Sequence, residues 1–377
     1  MEMVYRYTGP GLMSYQSISK GKNMNIAITA DLHLTSREKH PERFRALENI
    51  FDQLVEQEIS TLIIAGDLFD ATCTTPGEFE DVVKKKKYSK ILLYVIPGNH
   101  DPIFSEGTFS LPNIRYIVKP ELVEIPDGIP FIFIPFKHGS SVGEFLAAEQ
   151  FPVELDSWVL VGHGDWLTGT IQKNEYEIGT YMPLSGRDLL LYKPKKVFLG
   201  HIHAPIDSPI VHYTGSPCGI DPTETGYRSF IIFDPSTWNV SRSVVDTDLL
   251  FFNEQITILP LDEEEAYVRT LLSARVESWK IPPTHRTKVR VRVKARGYSR
   301  DRLNLTKAIR DQLREFQFTD SDQPDISQVK VSNDMTQGRI TELVKQKIDA
   351  LDLDPKPGEP DRDDILLAAM NTIYGGK

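Results

Sequence analysis

Residues 25–30 form a short apolar run that stops at Asp31. From Glu42 to Gln57 the apolar residues Phe44, Leu47, Ile50, Phe51, Leu54 and Val55 recur at helical spacing. Residues 61–65 are again rich in β-formers and stop at Gly66. Strand, helix and strand in this order predict a parallel pair. A polar stretch near 78–87 predicts a further helix, followed by a strand over 91–96. Later apolar runs lie at 131–134, 158–161, 196–199, 211–213 and 229–233. Short runs of Val, Ile and Phe read as strands buried on both faces. Residues 24–245 are therefore expected to form one α/β domain built on packed sheets.

The pattern changes after residue 246. Two apolar stretches, 251–259 and 288–295, are each followed by a helix-like segment, 263–278 and 302–316. This predicts a small α+β module over 246–335. Residues 336–377 hold two short amphipathic helices separated by 352–362, whose three prolines mark a linker. Ile340, Leu343, Val344, Ile348 and Leu351 make one apolar stripe, and Ile365, Leu366, Leu367, Ala369, Met370 and Ile373 a broader one. Short helices at a chain end either pack back on their own domain or cover a partner helix. At the other end, residues 1–23 are a polar, Gly-rich extension, and Met24 reads as a natural start. The extension is expected to be an upstream start with no role, the alternative being an added contact.

Composition adds exclusions. With 377 residues, 40% hydrophobic and 25% charged, the chain has the balance of a soluble protein of about two domains. No apolar run approaches the ~18 residues of a membrane span. The two cysteines, Cys73 and Cys218, exclude a disulfide framework and a Cys-rich zinc site, and fit a reducing cytoplasm. A net charge of −10 makes nucleic-acid binding depend on a local basic patch. Residues 281–315 supply one, with 11 Lys/Arg against 3 Asp/Glu. There Lys288, Arg290, Arg292, Lys294 and Arg296 alternate with Val289, Val291, Val293 and Ala295. On a strand this puts five cations on one face, suited to backbone phosphates or simply solvated. The run Lys84 to Lys87 points round a helix and reads as a solvated face.

Five blocks carry the chemistry: Asp31-Leu-His33, Gly66-Asp67-Leu-Phe-Asp70, Gly98-Asn99-His100-Asp101, Gly162-His163-Gly164 and Gly200-His201-Ile-His203. Each sits where an apolar strand stops, and loops beyond strand ends are where a site assembles in an α/β sheet. Asp, His and Asn are the oxygen and nitrogen donors of divalent metals such as Mn, Fe or Zn. Asp31 and His33, like His201 and His203, are two apart and share a side of an extended strand end. The glycines before Asp67, Asn99, His163 and His201 allow tight turns and close backbone approach. A carboxylate such as Asp67 can bridge two cations roughly 3.5–4 Å apart. One such block alone is a weak signal, since a lone histidine is usually a packed or surface residue. His40, His138, His212 and His285 lie outside the blocks and carry that plain reading, as does Cys218. His138 follows a strand, so a place in the cleft is the alternative for it.

The ordered set of five resembles the calcineurin-like metallophosphoesterase superfamily, over about 180 residues from Asn25 to Pro217. The resemblance implies a fold of packed mixed β-sheets flanked by helices. It implies two divalent ions, one on Asp31, His33, Asp67 and His203 and the other on Asp67, Asn99, His163 and His201. His100 would contact the phosphate and assist the leaving group, oriented by Asp101. The blocks differ from the GDxVDRG and GNHE of protein serine/threonine phosphatases. With Tyr213-Thr-Gly-Ser-Pro217 and 174 residues beyond His203, the chain looks like the SbcD-type DNA repair nucleases of bacteria and phages. That likeness implies a DNA exonuclease or endonuclease subunit using Mn2+, with Mg2+ as the alternative. It implies a small capping domain over 246–335 and, over 336–377, helices that dock on an SMC-like, SbcC-type ATPase through Leu343, Val344, Ile348, Leu367 and Met370. A homodimer and a cytoplasmic location, in the host if phage-encoded, fit the same likeness. Asp70 stands where some of these relatives carry a histidine, so the exonuclease and endonuclease alternatives stay open. A stand-alone phosphodiesterase for small nucleotides or other phosphoesters is the alternative enzyme. A scaffold that keeps the fold without catalysis is a third reading, opposed by the intact ligand set.

Overall fold

In the first strand, Ile26–Thr29, Ile26 and Ile28 face one apolar cluster and Ala27 faces another. That period of two, repeated in the neighbouring strands, stacks two sheets and leaves each with an outer face for helices. The computed structural model describes residues 24–375 apart from 73–75, 126–127, 155, 168–178, 320–322, 333–336 and 356–358. The N-terminal extension 1–23 and Cys73 thus lie outside the described residues.

The first sheet has the order Asn239–Val244, Ser229–Asp234, Ile26–Thr29, Thr61–Ala65, Leu92–Ile96 and Ile114–Tyr116. Ile26–Thr29, Thr61–Ala65 and Leu92–Ile96 run parallel, as the strand–helix–strand pattern predicts. The second sheet has the order Ile206–Asp207, Val211–Tyr213, Lys196–Gly200, Val159–His163, Ile129–Ile134 and Glu121–Ile125. Ile28, Ile63, Ile96, Phe131, Phe133, Val161, Phe198 and Phe233 fill the space between the two sheets. The helix Pro41–Glu56 buries Phe44, Leu47, Ile50, Phe51 and Leu54 on the outer face of the first sheet. Val142 and Leu146 of the helix Val142–Glu149 cover the second. The strands that hydrophobic runs do not announce are mostly at edges: Ile114–Tyr116, Glu121–Ile125 and Asn239–Val244. Edge strands have one solvated flank and need no continuous apolar run.

Beyond Asp246 lies a second, separate core. The strands Leu250–Ile258, Gln317–Phe318 and Asp325–Val331 all pair parallel with Val289–Ser299. The helices Glu264–Ser278 and Arg302–Gln312 connect them and cover Val289, Val291, Val293 and Ala295. The expected α+β module is thus built of β–α–β units, an arrangement set by crossover helices long enough to return each strand in parallel.

The two tail helices, Gly338–Asp349 and Arg362–Tyr374, pack on this second core. Ile348, Leu366 and Met370 are buried with Leu259, Leu261 and Tyr298. Asp363 pairs with Arg275 at 2.7 Å, and Asp364 with Arg296 at 2.7 Å. Of the residues expected to face a partner, Leu343, Val344, Ile348, Leu367 and Met370, two are buried within the chain itself. Ile348 and Met370 are spent inside the chain, because Leu259, Leu261 and Tyr298 would otherwise face water. Leu343 is exposed, as are its neighbours Ile340 and Leu351. Lys84, Lys85 and Lys87 pair with Asp81, Glu48 and Asp52, in keeping with a solvated face. No helix among the described residues is long and apolar enough to cross a membrane.

Met370 is fully buried, so Met370→Ala is expected to destabilise the second domain by about 2–5 kcal/mol. Leu343→Ala, at an exposed position, is expected to change stability by less than about 0.5 kcal/mol. Chemical denaturation of both variants checks the contrast.

Candidate metal centre

All five blocks lie at the carboxyl ends of parallel strands: three from the first sheet, Ile26–Thr29, Thr61–Ala65 and Leu92–Ile96, and two from the second, Val159–His163 and Lys196–Gly200. The backbone there is bent hard. Asp31, His33, Asp67 and His201 have φ of 55°, 47°, 49° and 93°, a region that L-residues occupy only under constraint. Cross-loop bonds supply the constraint. Asp31 N–H donates to Gly66 O at 3.1 Å, and His33 N–H to Asp67 O at 3.0 Å. Gly98 is needed for close approach, since a Cβ there would stand 2.2 Å from Asp67 Oδ1 and 2.5 Å from Asp67 N.

The two central carboxylates are each half satisfied. Asp67 Oδ1 accepts His100 N–H at 2.8 Å, and Asp31 Oδ1 accepts His201 N–H at 2.9 Å. Asp67 Oδ2 and Asp31 Oδ2 are buried with no hydrogen-bond partner. Asp67 Oδ2 lies 3.5 Å from His33 Nε2 and 3.4 Å from His163 Nε2, between two imidazoles on different loops. An orphaned buried carboxylate oxygen is costly unless a cation meets it.

The imidazoles are turned to suit. His163 Nδ1 lies 3.0 Å from the Ala65 carbonyl, which leaves Nε2 facing inward, 2.8 Å from Asn99 Oδ1. His201 Nδ1 lies 3.1 Å from the same Asn99 oxygen, with its Nε2 3.5 Å from Asp165 Oδ1. His203 Nδ1 lies 2.7 Å from Glu224 Oε1, and its Nε2 faces His33 Nε2 at 3.1 Å. Two ring nitrogens at that separation need one proton or one cation between them. The donor set gathers as Asp31, His33 and His203 on one side and Asp31, Asp67 and His163 on the other, with ligand atoms of each group within 4.8 Å of one another. Oxygen and imidazole donors of this kind, with outward nitrogens fixed by acceptors, fit divalent cations.

The charges show the same need. Burial pushes the Asp31 carboxyl up to about 6, against the pull of His203 and His163. Burial would also raise Asp67, but His163, His33 and His100 together outweigh this and hold Asp67 well below the usual carboxylate range. Burial lowers His163, but Asp67, Asp31 and the Ala65 carbonyl together outweigh it and push the ring up to about 9. His33 is pushed down to about 3 by burial, despite Asp67. Protons thus supply positive charge to a buried anionic cluster, a place that metal ions fill equally well.

His100 is half-buried beside this cluster, its ring 4.9 Å from that of His33. Asp101 accepts Phe69 N–H and Gly98 N–H, each at 2.7 Å, and so ties the Gly66 loop to the Gly98 loop. Its influence on His100 runs through that loop. Burial, with the charge of Asp67, pushes the Asp101 carboxyl up to about 7.

The fold thus brings Asp31, His33, Asp67, Asn99, His100, Asp101, His163, His201 and His203 together. The basic stripe is elsewhere, on the second domain. Its alternation holds, with the valines buried and Arg290, Arg292, Lys294 and Arg296 on the other face. Lys288 pairs with Asp246 at 2.6 Å and Arg296 with Asp364 at 2.7 Å, which reduces the charge open to a ligand. Arg290 lines a cleft of about 560 Å³ between the domains, with Arg45, Pro222, Phe251 and Phe318.

Sequence reasoning missed four residues around the centre. Arg43 donates to His33 O at 2.5 Å from inside the first helix, and Arg228 donates to His203 O. Arg43 falls on the buried face of an amphipathic helix, a signal that was available. Asp165 follows His163 by two residues, just past the Gly162-His163-Gly164 block. Glu224 had no local signal, since it lies in a polar loop with no strand end beside it. Outside the centre, His40 pairs with Glu42, His212 with Asp207, and His285 contacts Tyr227, in keeping with the plain reading.

The sequence profile describing the calcineurin-like phosphoesterase domain matches residues 24–219. The DNA double-strand break repair protein Mre11 of Nanoarchaeum equitans is 21% identical over 313 residues, 75% of this chain and 80% of that protein. Mre11 of Methanosarcina mazei is 32% identical over 88 residues, 21% of this chain and 14% of that protein. A solved archaeal phosphodiesterase aligns at 17% identity and a TM-score of 0.33, over 59% of this chain and all 100% of its own.

Gly98→Ala is expected to push Asp67 out of place and to weaken divalent-metal uptake by about 10–100-fold. Gly107→Ala, where a Cβ meets open space, is expected to leave uptake unchanged. Calorimetric titration of the two variants with Mn2+ checks this.

Proposed function

The chain belongs to the calcineurin-like phosphoesterase family and is a metal-dependent phosphoester hydrolase; from that premise we propose that it is a two-metal DNA nuclease subunit. The observation that carries the two-metal part is Asp67 Oδ2, buried, without a hydrogen bond, and 3.4–3.5 Å from imidazoles of two different loops. In this reading Asp31, His33, Asp67 and His203 hold one ion, and Asp67, Asn99, His163 and His201 hold the other. Ions held there, Mn2+ by preference, would supply an activated water and stabilisation of charge on the phosphoryl oxygens. The chain's own residues do the rest. His100, at the half-buried rim, contacts the phosphate and gives a proton to the leaving oxygen. Asp101 is a positioning residue that fixes the His100 loop through two backbone N–H groups. Arg43 and Arg228 grip the carbonyls of His33 and His203 and keep those ligands from drifting.

Two things support DNA as the substrate. The relative from Nanoarchaeum equitans, named as a DNA double-strand break repair protein, aligns over 75% of the chain, more than the phosphoesterase region alone can supply. The cationic face of Val289–Ser299 reaches the interdomain cleft at Arg290. As to a partner, the first tail helix keeps Ile340 and Leu343 exposed on one side. That side is the surface proposed for an SMC-like, SbcC-type ATPase, with the buried Ile348 and Met370 holding the helix pair in place.

His100→Asn is expected to keep Mn2+ uptake and to lose about 10²–10⁴ in cleavage of both DNA and bis-p-nitrophenyl phosphate. Loss of metal uptake would instead make His100 a ligand. Replacing Arg290, Arg292 and Lys294 together by Gln is expected to weaken DNA binding and to shrink its salt slope by about 0.9 for each lost duplex contact. Hydrolysis of the small diester should hardly change. Unaltered DNA binding at every salt concentration would favour the small-phosphodiester reading.

A further inference from the structure

Glu224 stands outside all five sequence blocks, yet its carboxylate touches the metal centre. Glu224 Oε1 lies 2.7 Å from His203 Nδ1, and the other nitrogen of that ring faces His33. Glu224 Oε2 accepts Ser216 Oγ at 2.6 Å and Ile220 N–H at 3.1 Å, and the Arg228 guanidinium lies 3.8 Å away. Both carboxylate oxygens are thus occupied, and the side chain has little freedom to turn. A carboxylate in this position fixes the ring's tautomer and makes the inward nitrogen a stronger donor.

The loop that carries Glu224 is held from the second domain. Thr225 forms a bridge with Phe251, and Gly226 N–H donates to Phe251 O at 2.9 Å. The Phe251 ring lies against Gly219 so closely that a Cβ there would stand 2.8 Å from Cδ2. Phe251 belongs to Leu250–Ile258, the first strand of the second domain, where its register partner is Arg290. The chain therefore runs without a gap from the cationic strand, through Phe251, to the Glu224 loop and His203.

We propose that Glu224 is the positioning residue for the metal position built from Asp31, His33 and His203, and that the second domain, through Phe251, seats Glu224 there. This rests on the two-metal reading. It adds that one of the two positions depends on the second domain and the other does not. Displacing the second domain at Arg290, as a ligand in the cleft would, then loosens one cation without touching the Asn99 and His163 side.

The test is calorimetric titration of the full-length chain with Mn2+, with the d–d absorption of the Co2+-loaded chain as a second readout. The wild-type chain is expected to take up two ions. Glu224→Ala should weaken one step by about 10–100-fold, leave the other within about threefold, and change the cobalt spectrum. Glu224→Gln keeps an acceptor for His203 Nδ1–H and should restore most of the affinity. Phe251→Ala should weaken the same step, by less than Glu224→Ala. Leu272→Ala, which removes a buried side chain from the second domain's core and leaves the Phe251 contacts in place, should leave both steps within about threefold. If Glu224→Ala is poorly folded by circular dichroism, Glu224→Gln and Phe251→Ala carry the test. Two unchanged steps in Glu224→Ala, or equal loss of both, would overturn the proposal while leaving two-metal binding intact. An effect of Leu272→Ala equal to that of Phe251→Ala would overturn the link to the second domain. A wild-type chain that takes up no ion would overturn the two-metal reading itself, and this inference with it.

Discussion

Two carboxylates, Asp31 and Asp67, are buried side by side at the carboxyl ends of adjacent parallel strands, and each keeps one oxygen without a hydrogen bond. Left uncompensated, such a pair would unfold its surroundings or take up protons. The structure answers with four imidazoles, strained backbone at Asp31, His33, Asp67 and His201, and glycines where the loops touch. Most of what is unusual in the first domain follows from that need to bring positive charge to one buried point. The rest of the domain, helices over stacked sheets, supplies the apolar burial that can sustain a strained centre.

The stacking of two sheets is what makes a site of this composition possible. One sheet ends in Asp31, Asp67 and Asn99, and the other in His163 and His201. Residues from both sheets converge only because the strand ends lie at the same rim of the sandwich. The Ile28, Phe131, Val161 and Phe198 packing between the sheets therefore governs ligand geometry as well as stability. Small shifts between the sheets would separate His163 from Asp67, so core packing and chemistry are not independent here.

The second domain and tail follow a different logic. Their core is independent, but they meet the first domain at the Glu224 loop and at the Arg45–Asp248 ion pair. Two of the stripe's five cations are spent on holding structure, Lys288 on Asp246 and Arg296 on Asp364. A run of charge in sequence thus overstates the charge available to a ligand, because carboxylates far along the chain return to meet it.

The strand–helix–strand order and the five blocks at strand ends are legible in the sequence. Each rests on local spacing, and local spacing is fixed by covalent geometry: alternate residues of a strand must face opposite ways, and a glycine admits a turn wherever it stands. The alternation of Arg290, Arg292 and Lys294 with valines was legible for the same reason. Tertiary structure alone decided that Glu224 meets His203 across 21 residues, and Arg43 the carbonyl of His33. It also decided that Ile348 and Met370 belong to the chain's own core, and that the edge strands Ile114–Tyr116 and Asn239–Val244 join the first sheet. Those features depend on which distant segment arrives to satisfy a buried donor, a buried charge or an open apolar face. No spacing along the chain encodes that partner, because the interaction exists only once both segments are folded.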